Sequence, residues 1–434
     1  MRYALVAALA LLIVGCKSGG EGDERPGATT AKAGTNAKTG TEDGTRTRTT
    51  TTTTSGRIDW VKDLEVLATE LPKRHKNAFH AVTKPRFDRA VAALRSQLAG
   101  LNDDQVLAGL MRLVAMIGDG HTILTRPHIN YLQLSLYWFA DGIYVLAAPR
   151  GHAWAVGRKL TRLGDVSIDD AIVRLTPLVP HDNAMQLRQL MPNFLIDATL
   201  LHGAGLSQHA NRAVYTLAAA DGKTRQLVVA LGQRVQAPVP TAPPPLYRTR
   251  RRAYYWRTYL AKDKTMYVQY NQCADAPNLS FAAFTKGLLQ ALDKLRPQRL
   301  VIDLRFNGGG NSALFDPLLA GLARRPWMTK RGKLFAIIGR ATFSSAVLNT
   351  MALKRQLGAI LVGEPSGGKP SHYGEVKHVR LPSSGYTVGY ATKLFRFAGA
   401  DGPSIVPDVK VTLTHAAFAA GKDPALTAAL RYRR

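Results

Sequence analysis

Two adjacent serines, Ser344 and Ser345, stand in the stretch GRATFSSAVLNT (residues 339–350), where an apolar run gives way to helical spacing. A serine at the start of a helix meets backbone N–H groups and a dipole that both favour developing negative charge. Three glycines, Gly308 to Gly310, follow the apolar segment RLVIDLRF. With no side chains in the way, their N–H groups can come close to a carbonyl oxygen. A serine nucleophile also needs a base. His121 sits in GDGHT, read as a helix stop followed by an exposed turn, and Lys369 sits in GEPSGGKP. Together these residues can perform acyl transfer through a covalent intermediate. Each also has a plain alternative: serines cap helices, glycine runs form turns, and isolated histidines and lysines face solvent. On residue types alone the plain alternatives come first.

The elements that must position these groups follow from periodicity. Residues 264–271 read as a strand, 279–295 as an amphipathic helix and 299–306 as a near-continuous apolar strand. Residues 313–323 are helical, 333–339 a strand, 344–356 a helix and 359–364 a strand. Buried-type strands alternating with helices predict a parallel sheet, with functional groups at the strand C-terminal ends. Three such ends carry the glycine run, the serine pair and the loop of residues 363–369. That loop nearly spells a phosphate-binding loop, but Pro370 replaces the hydroxyl residue that would hold Mg²⁺, and SHYGEVKHVRL behind it alternates like a strand rather than a helix. Nucleotide binding is therefore not expected.

Upstream, residues 57–129 predict a helical unit with apolar residues at Trp60, Leu64, Leu67 and Leu71, then Phe87, Val91, Leu94 and Leu98. Its third helix opens on the cap residues Asn102, Asp103 and Asp104 and ends at GDGHT. Residues 130–240 mix strands and helices, with hairpin turns at Asp141-Gly142 and Asp221-Gly222. Their strand–turn–strand–helix order resembles a peptide-binding PDZ module carrying an insertion. A Pro/Ala-rich stretch marks the boundary to residues 241–434.

The N-terminus is of another kind. MRYALVAALALLIVGC has a basic start and an apolar run too short for a comfortable membrane span, which reads as a signal peptide over residues 1–16. Its end resembles the bacterial lipobox, and this implies a lipid on Cys16 and anchorage at the bacterial cell envelope, on the periplasmic or extracellular face. Residues 17–56 are Gly-, Thr- and charge-rich and carry almost no large apolar residue, as a flexible tether would. Cys273 is then left without an intrachain partner and is expected to be buried. The formal charge of the 434-residue chain is +28. Such a field favours anionic surfaces. Residues 248–252, TRR-rich and flanked by Tyr247, Tyr254, Tyr255 and Trp256, suggest stacking on nucleic acid, but no nucleic-acid motif accompanies them and a solvated basic surface is the preferred reading.

Five motifs in order carry a family resemblance: GDGHT, VIDLRFNGGG, GRATFSSA, VGEPSGGKP and PSIVPDVKV. They resemble the tail-specific, or C-terminal-processing, serine peptidases, a family that includes the tricorn protease core and the retinoid-binding repeats. The resemblance runs from Trp60 to the C-terminus and is strongest over residues 300–411. It implies an α/β fold with a ClpP/crotonase-like catalytic core, an N-terminal helical unit and a PDZ-like insert. It implies peptide or unfolded-protein substrates and no cofactor or metal. The nucleophile position falls on Ser344, and the oxyanion donors on the N–H groups of Ser345 and Gly309. Two branches differ in the base. The tail-specific branch points to Lys369, 25 positions after Ser344, although Tyr373 replaces the glutamine expected four residues later. The tricorn branch points to His121 with a carboxylate at Asp401, although Gly120 replaces the serine before the histidine. The expectation is Ser344 as nucleophile, His121 as general base and Asp401 as its orienting group, with Lys369 as the alternative base. The rival is an inactive, membrane-tethered ligand- or peptide-binding module.

Overall fold

The structure is a computed structural model, and it describes residues 57–235, 244–397, 399 and 401–433. Cys16, the signal segment and the tether lie outside the described residues. The N-terminal segment forms α1 (Trp60–Arg74), α2 (Lys84–Gln97), α3 (Asp103–Ala115) and the short strand β1 (Ile123–Thr125). Asn102 and Gln105 close a reciprocal capping box at the start of α3, as the cap residues predict. The buried carboxylate of Asp63 on α1 accepts the N–H groups of Ser383 and Ser384, tying this helix to a turn more than 300 residues away.

Next come β2 (Ser135–Phe139), β3 (Gly142–Ala147), β4 (Lys159–Leu163), β5 (Val166–Ser167), β6 (Arg212–Ala218) and β7 (Thr224–Ala230). They form a sheet in the order β2-β3-β4-β6-β7, with β5 paired to β4. Both predicted hairpin turns are present, between β2 and β3 and between β6 and β7. The helices α4 (Ile168–Leu175), α5 (Ala184–Phe194) and α6 (Ala198–Gly203) fill the long interval before β6. One hydrophobic core runs from Trp60 and Leu64 through Val114 to Tyr215 and Val229, so the segments either side of residue 129 share their interior.

The remaining chain opens with α7 (Leu246–Thr249), β8 (Tyr255–Leu260) and β9 (Thr265–Tyr270), then α8 (Phe281–Leu295) and β10 (Arg299–Asp303). It continues with α9 (Asp316–Ala323), α10 (Pro326–Thr329), β11 (Leu334–Ile338), α11 (Ser345–Leu357) and β12 (Ile360–Gly363). It closes with β13 (His372–Arg380), β14 (Thr387–Phe395), β15 (Val409–Lys410), α12 (His415–Ala419) and α13 (Pro424–Arg431). The sheet order is β15-β12-β11-β10-β9-β8. Its strands are parallel except for the β8–β9 hairpin at one edge. Every residue of β11 is buried, as a strand covered on both faces requires. α8, α9 and α11 pack one face and α13 the other. β13 and β14 leave this sheet and pair with β1 in the order β1-β14-β13. That pairing fixes Ile123 opposite Gly389 and so anchors the GDGHT turn, just before β1, beside β14.

Candidate active site

The ends of β10 and β11 are locked to one another. Thr342 donates its hydroxyl to the Leu304 carbonyl at 2.9 Å and accepts the Gly339 N–H at 3.0 Å. The Phe343 N–H donates to the Asn307 carbonyl at 3.0 Å. Asn307 is fully buried, its amide donating to the Tyr270 carbonyl while its Oδ1 accepts the Gly309 N–H at 2.9 Å. Cys273 is buried, as expected, with its sulfur between the amides of Asn307 and Asn349.

Into this frame the chain sets Ser344, partly exposed, with φ 51° and ψ −128°. A non-glycine residue rarely holds that conformation, and holding it costs on the order of 1–3 kcal/mol. Ser344 precedes α11, yet its side chain makes no capping hydrogen bond. Ser345 donates its hydroxyl to the Gly310 carbonyl at 2.5 Å, tying the helix to the glycine loop. Gly309 has φ +110°, and a Cβ there would lie 2.7 Å from the Ser344 Cβ and 3.1 Å from the Ser345 nitrogen. Glycine is required at this position by backbone and by space.

His121 corrects the sequence reading. The GDGHT turn was expected to expose it, and the structure leaves it only 2% exposed. The cause is tertiary. Asp119 accepts the N–H groups of His121 and Thr122, both at 2.8 Å, and its other oxygen bonds His75 Nε2 at 2.9 Å. Gly120 donates its N–H to Asp182 at 2.8 Å and lies so close to Gln186 that a Cβ would meet Oε1 at 2.3 Å. The imidazole stacks on Phe343, centroids 4.3 Å apart, and faces His372 at 5.4 Å. Phe343 is the residue before Ser344, so histidine and serine halves meet although 222 residues separate them in sequence. Burial, joined by His372 and opposed by Asp119, pushes the His121 imidazole down to about 3, which keeps it neutral near pH 7. Both its ring nitrogens are buried without a hydrogen-bond partner. An unsatisfied buried polar group is uncommon in a native fold and calls for a reason.

The other expected site residues fare differently. Asp401 is exposed and makes no bond to His121, because it lies on an open loop before β15. Lys369 is partly buried; its N–H donates to Asp182 and its carbonyl accepts from His372 Nδ1 at 2.9 Å. The Gly309 N–H, expected to be free for an oxyanion, is held by Asn307. Gly308 and Ser345 have N–H groups with no acceptor among the described residues. The structure adds Asp119, Asp182 and His372, which sequence reasoning did not single out, and gives a part to Asn307, which the sequence marks only as standing at a strand end with the glycine run. Asp119 had a local signal, an aspartate followed by residues whose N–H groups it can accept. Asp182 and His372 had none, since only the folded chain brings them to His121. Of the aromatic residues beside the basic run, Tyr247, Tyr255 and Trp256 are buried and Tyr254 is half-buried, so three of the four are closed to stacking.

No family model matches the sequence, and no curated protein matches it. Solved structures do. Mature CPAF in complex with lactacystin matches with a TM-score of 0.60 and 13% identity, over 83% of this chain and 96% of that one. A serine-to-alanine variant of CPAF matches with 0.58 and 12%, over 83% and 95%. The photosystem II D1 C-terminal processing protease matches more loosely, with 0.39 and 16%, over 81% and 92%. The chain is a mixed α/β protein whose fold is similar to that of CPAF. The match to CPAF extends over almost the whole of that chain.

Proposed function

We propose that this protein is a serine peptidase that hydrolyses peptide bonds through an acyl-enzyme on Ser344, with His121 as general base. The observation that carries this reading is Ser344 itself: a strained, partly exposed serine that caps nothing, one residue from the ring on which an unbonded histidine stacks. In this reading the Ser344 hydroxyl attacks the scissile carbonyl and His121 takes its proton. The Ser345 N–H and an N–H of the glycine loop hold the oxyanion; Gly308's is open and Gly309's opens only if Asn307 yields it. His121 then returns the proton to the leaving amine, and water resolves the ester. A neutral imidazole in a buried slot gains basicity only as negative charge develops beside it, which favours proton uptake in the tetrahedral state.

The same reading gives residues 241–434 the role of a ClpP/crotonase-like core and residues 130–240 that of a PDZ-like insert. Cys16 carries a lipid that tethers the chain to the bacterial envelope, with unfolded protein as substrate. The absence of any Asp401–His121 contact favours one second reading, a catalytically silent binding module on the same fold. One experiment separates them. The protein lacking residues 1–56 and its Ser344→Ala variant are incubated with an unfolded protein and with a fluorophosphonate probe. Labelling and cleavage by the parent alone, with a loss on the order of 10³-fold or more in the variant, is the expected outcome. Equal cleavage by both proteins sinks the nucleophile; no labelling and no cleavage by either favours the binding module.

A further inference from the structure

Five ionisable side chains form a buried cluster around the GDGHT turn, and only His121 among them has a role so far. His75, Asp119, His121, Asp182 and His372 are each 8% exposed or less. Two carboxylates thus meet three imidazoles. Asp119 is engaged on both oxygens, by the His121 and Thr122 N–H groups and by His75 Nε2. His75 Nδ1 accepts the Asn77 N–H, so its Nε2 carries the proton given to Asp119. Asp182, just ahead of α5, and His372, the first residue of β13, are joined through one residue. Asp182 accepts the Lys369 N–H at 3.3 Å, and His372 Nδ1 donates to the Lys369 carbonyl at 2.9 Å. His121 alone of the three histidines has no hydrogen bond on either ring nitrogen.

What orients His121 is stacking. Phe343, His121, His372 and Phe395 follow one another as stacked rings, with successive centroids 4.3, 5.4 and 5.5 Å apart. Successive planes are tilted by 25°, 10° and 26°. The pairing of β13 with β14 sets the outer two rings, because it puts His372 opposite Phe395. The inner end of the column is the residue before Ser344. A base usually has its ring fixed by a hydrogen bond from a third group. His121 has none, so its neighbours in the column fix its plane.

Charge travels through the same contact. Burial holds the His372 imidazole below its ordinary value, opposed by Asp182 and by the Lys369 carbonyl. His121 has only Asp119 in its favour, and both oxygens of Asp119 are engaged. On acidification His372 therefore takes a proton before His121 does. At an effective dielectric constant of about 20, a unit charge 5.4 Å away lowers the proton affinity of its neighbour roughly 100-fold. The other charged groups around His372 are Asp119, Glu375 on its own strand and Lys393 on β14. Lys393 lies 5.0 Å over the Phe395 ring and pairs with Glu375.

We propose that His372 is a positioning residue for His121: its ring fixes the plane of the base, and its charge, governed by Asp182, switches the base off on acidification. The proposal rests on the peptidase reading above and deepens it. Two measurements test it, one of which needs no turnover. Protein ¹³C-labelled at its 11 histidines is titrated by NMR, with His121→Phe and His372→Phe protein assigning the two rings. In the parent, His372 should charge first and His121 only at lower pH. In His372→Phe, which keeps a ring in the column, His121 should charge about 1–2 pH units higher than in the parent. The second measurement is the rate of fluorophosphonate labelling against pH. The acid limb of the parent should follow the His372 titration. His372→Phe and Asp182→Asn should each move that limb to lower pH, by about half a unit or more. A merely structural His372 would lower labelling at every pH and leave the limb in place. If His372→Phe does not fold, the order of charging in the parent and the limb of Asp182→Asn still decide. His121 charging before His372, or an acid limb that neither variant moves, overturns the proposal. Parent protein that labels and cleaves with that limb fixed keeps the peptidase reading and loses this one. Parent protein that neither labels nor cleaves removes the peptidase reading and the base with it, while the order of charging still reads the coupling of the two rings.

Discussion

Two helices packed into the same core begin at a serine, and the two serines do opposite things. Ser280, before α8, is extended at φ −66° and ψ 151°, and its hydroxyl accepts the Ala283 N–H at 3.2 Å. Ser344, before α11, is strained at φ 51° and leaves the first turn of its helix uncapped. One serine satisfies a helix end; the other leaves the Ser345 N–H free, a donor that an oxyanion could use. The same residue in the same topological place thus caps its helix where the backbone is relaxed and makes no cap where the backbone is forced.

If that contrast is right, what forces Ser344 matters most after Ser344 itself. Gly309→Ala puts a Cβ 2.7 Å from the Ser344 Cβ at φ +110°. It should abolish fluorophosphonate labelling and destabilise the fold by more than about 2 kcal/mol in denaturant titration. Gly308→Ala next door meets nothing within 4 Å and should alter stability little. Equal effects at the two glycines would mean that the loop does not hold the serine as described.

The base is the next point of pressure. His121→Ala should lower kcat/KM by about 10²–10⁴-fold, and Lys369→Ala by less than about 10-fold. The reverse order would transfer the base to Lys369. A further consequence concerns stability. The folded pKa of His121, about 3, lies below its ordinary 6.5. The unfolded chain therefore takes the proton first. The stability that comes from keeping this ring neutral is complete above about pH 6.5 and declines as the pH falls toward 3. His121→Phe keeps the stack on Phe343 and removes the titration. Its unfolding free energy should fall less steeply between pH 6 and 4, by up to about 1 kcal/mol per pH unit. Parallel curves for parent and variant would show that the ring is reached by protons in the native state.

The serine half of the site was legible in the sequence because it is local. A buried strand, a glycine run, a second strand and a helix start can each be read within a dozen residues, and parallel pairing of β10 with β11 does the rest. The histidine half was legible in identity but not in environment. GDGHT reads as an exposed turn, and it is Asp182, Gln186 and Phe343, from two other parts of the chain, that cover it. Periodicity carries no such information. The same limit hid Asn307, whose side chain takes the N–H that the glycine motif alone would assign to the oxyanion. It also placed Asp401 beside His121 by motif order, where the loop before β15 leaves it in solvent.

The smallest expected effect tests the opening contrast most directly. A serine that caps a helix contributes about 0.5–2 kcal/mol relative to alanine. Ser280→Ala should lose about 1 kcal/mol on that account, with peptide cleavage unchanged. Ser344→Ala keeps the strained backbone, removes no capping bond and should stay within about 0.5 kcal/mol of the parent while losing all activity. The pair of variants is informative because each controls for the other: both delete one hydroxyl at the first position of a helix in one shared core. If Ser344→Ala costs as much stability as Ser280→Ala, the hydroxyl of Ser344 is serving the helix in solution. The strain at φ 51° would then need another explanation than a nucleophile held for attack.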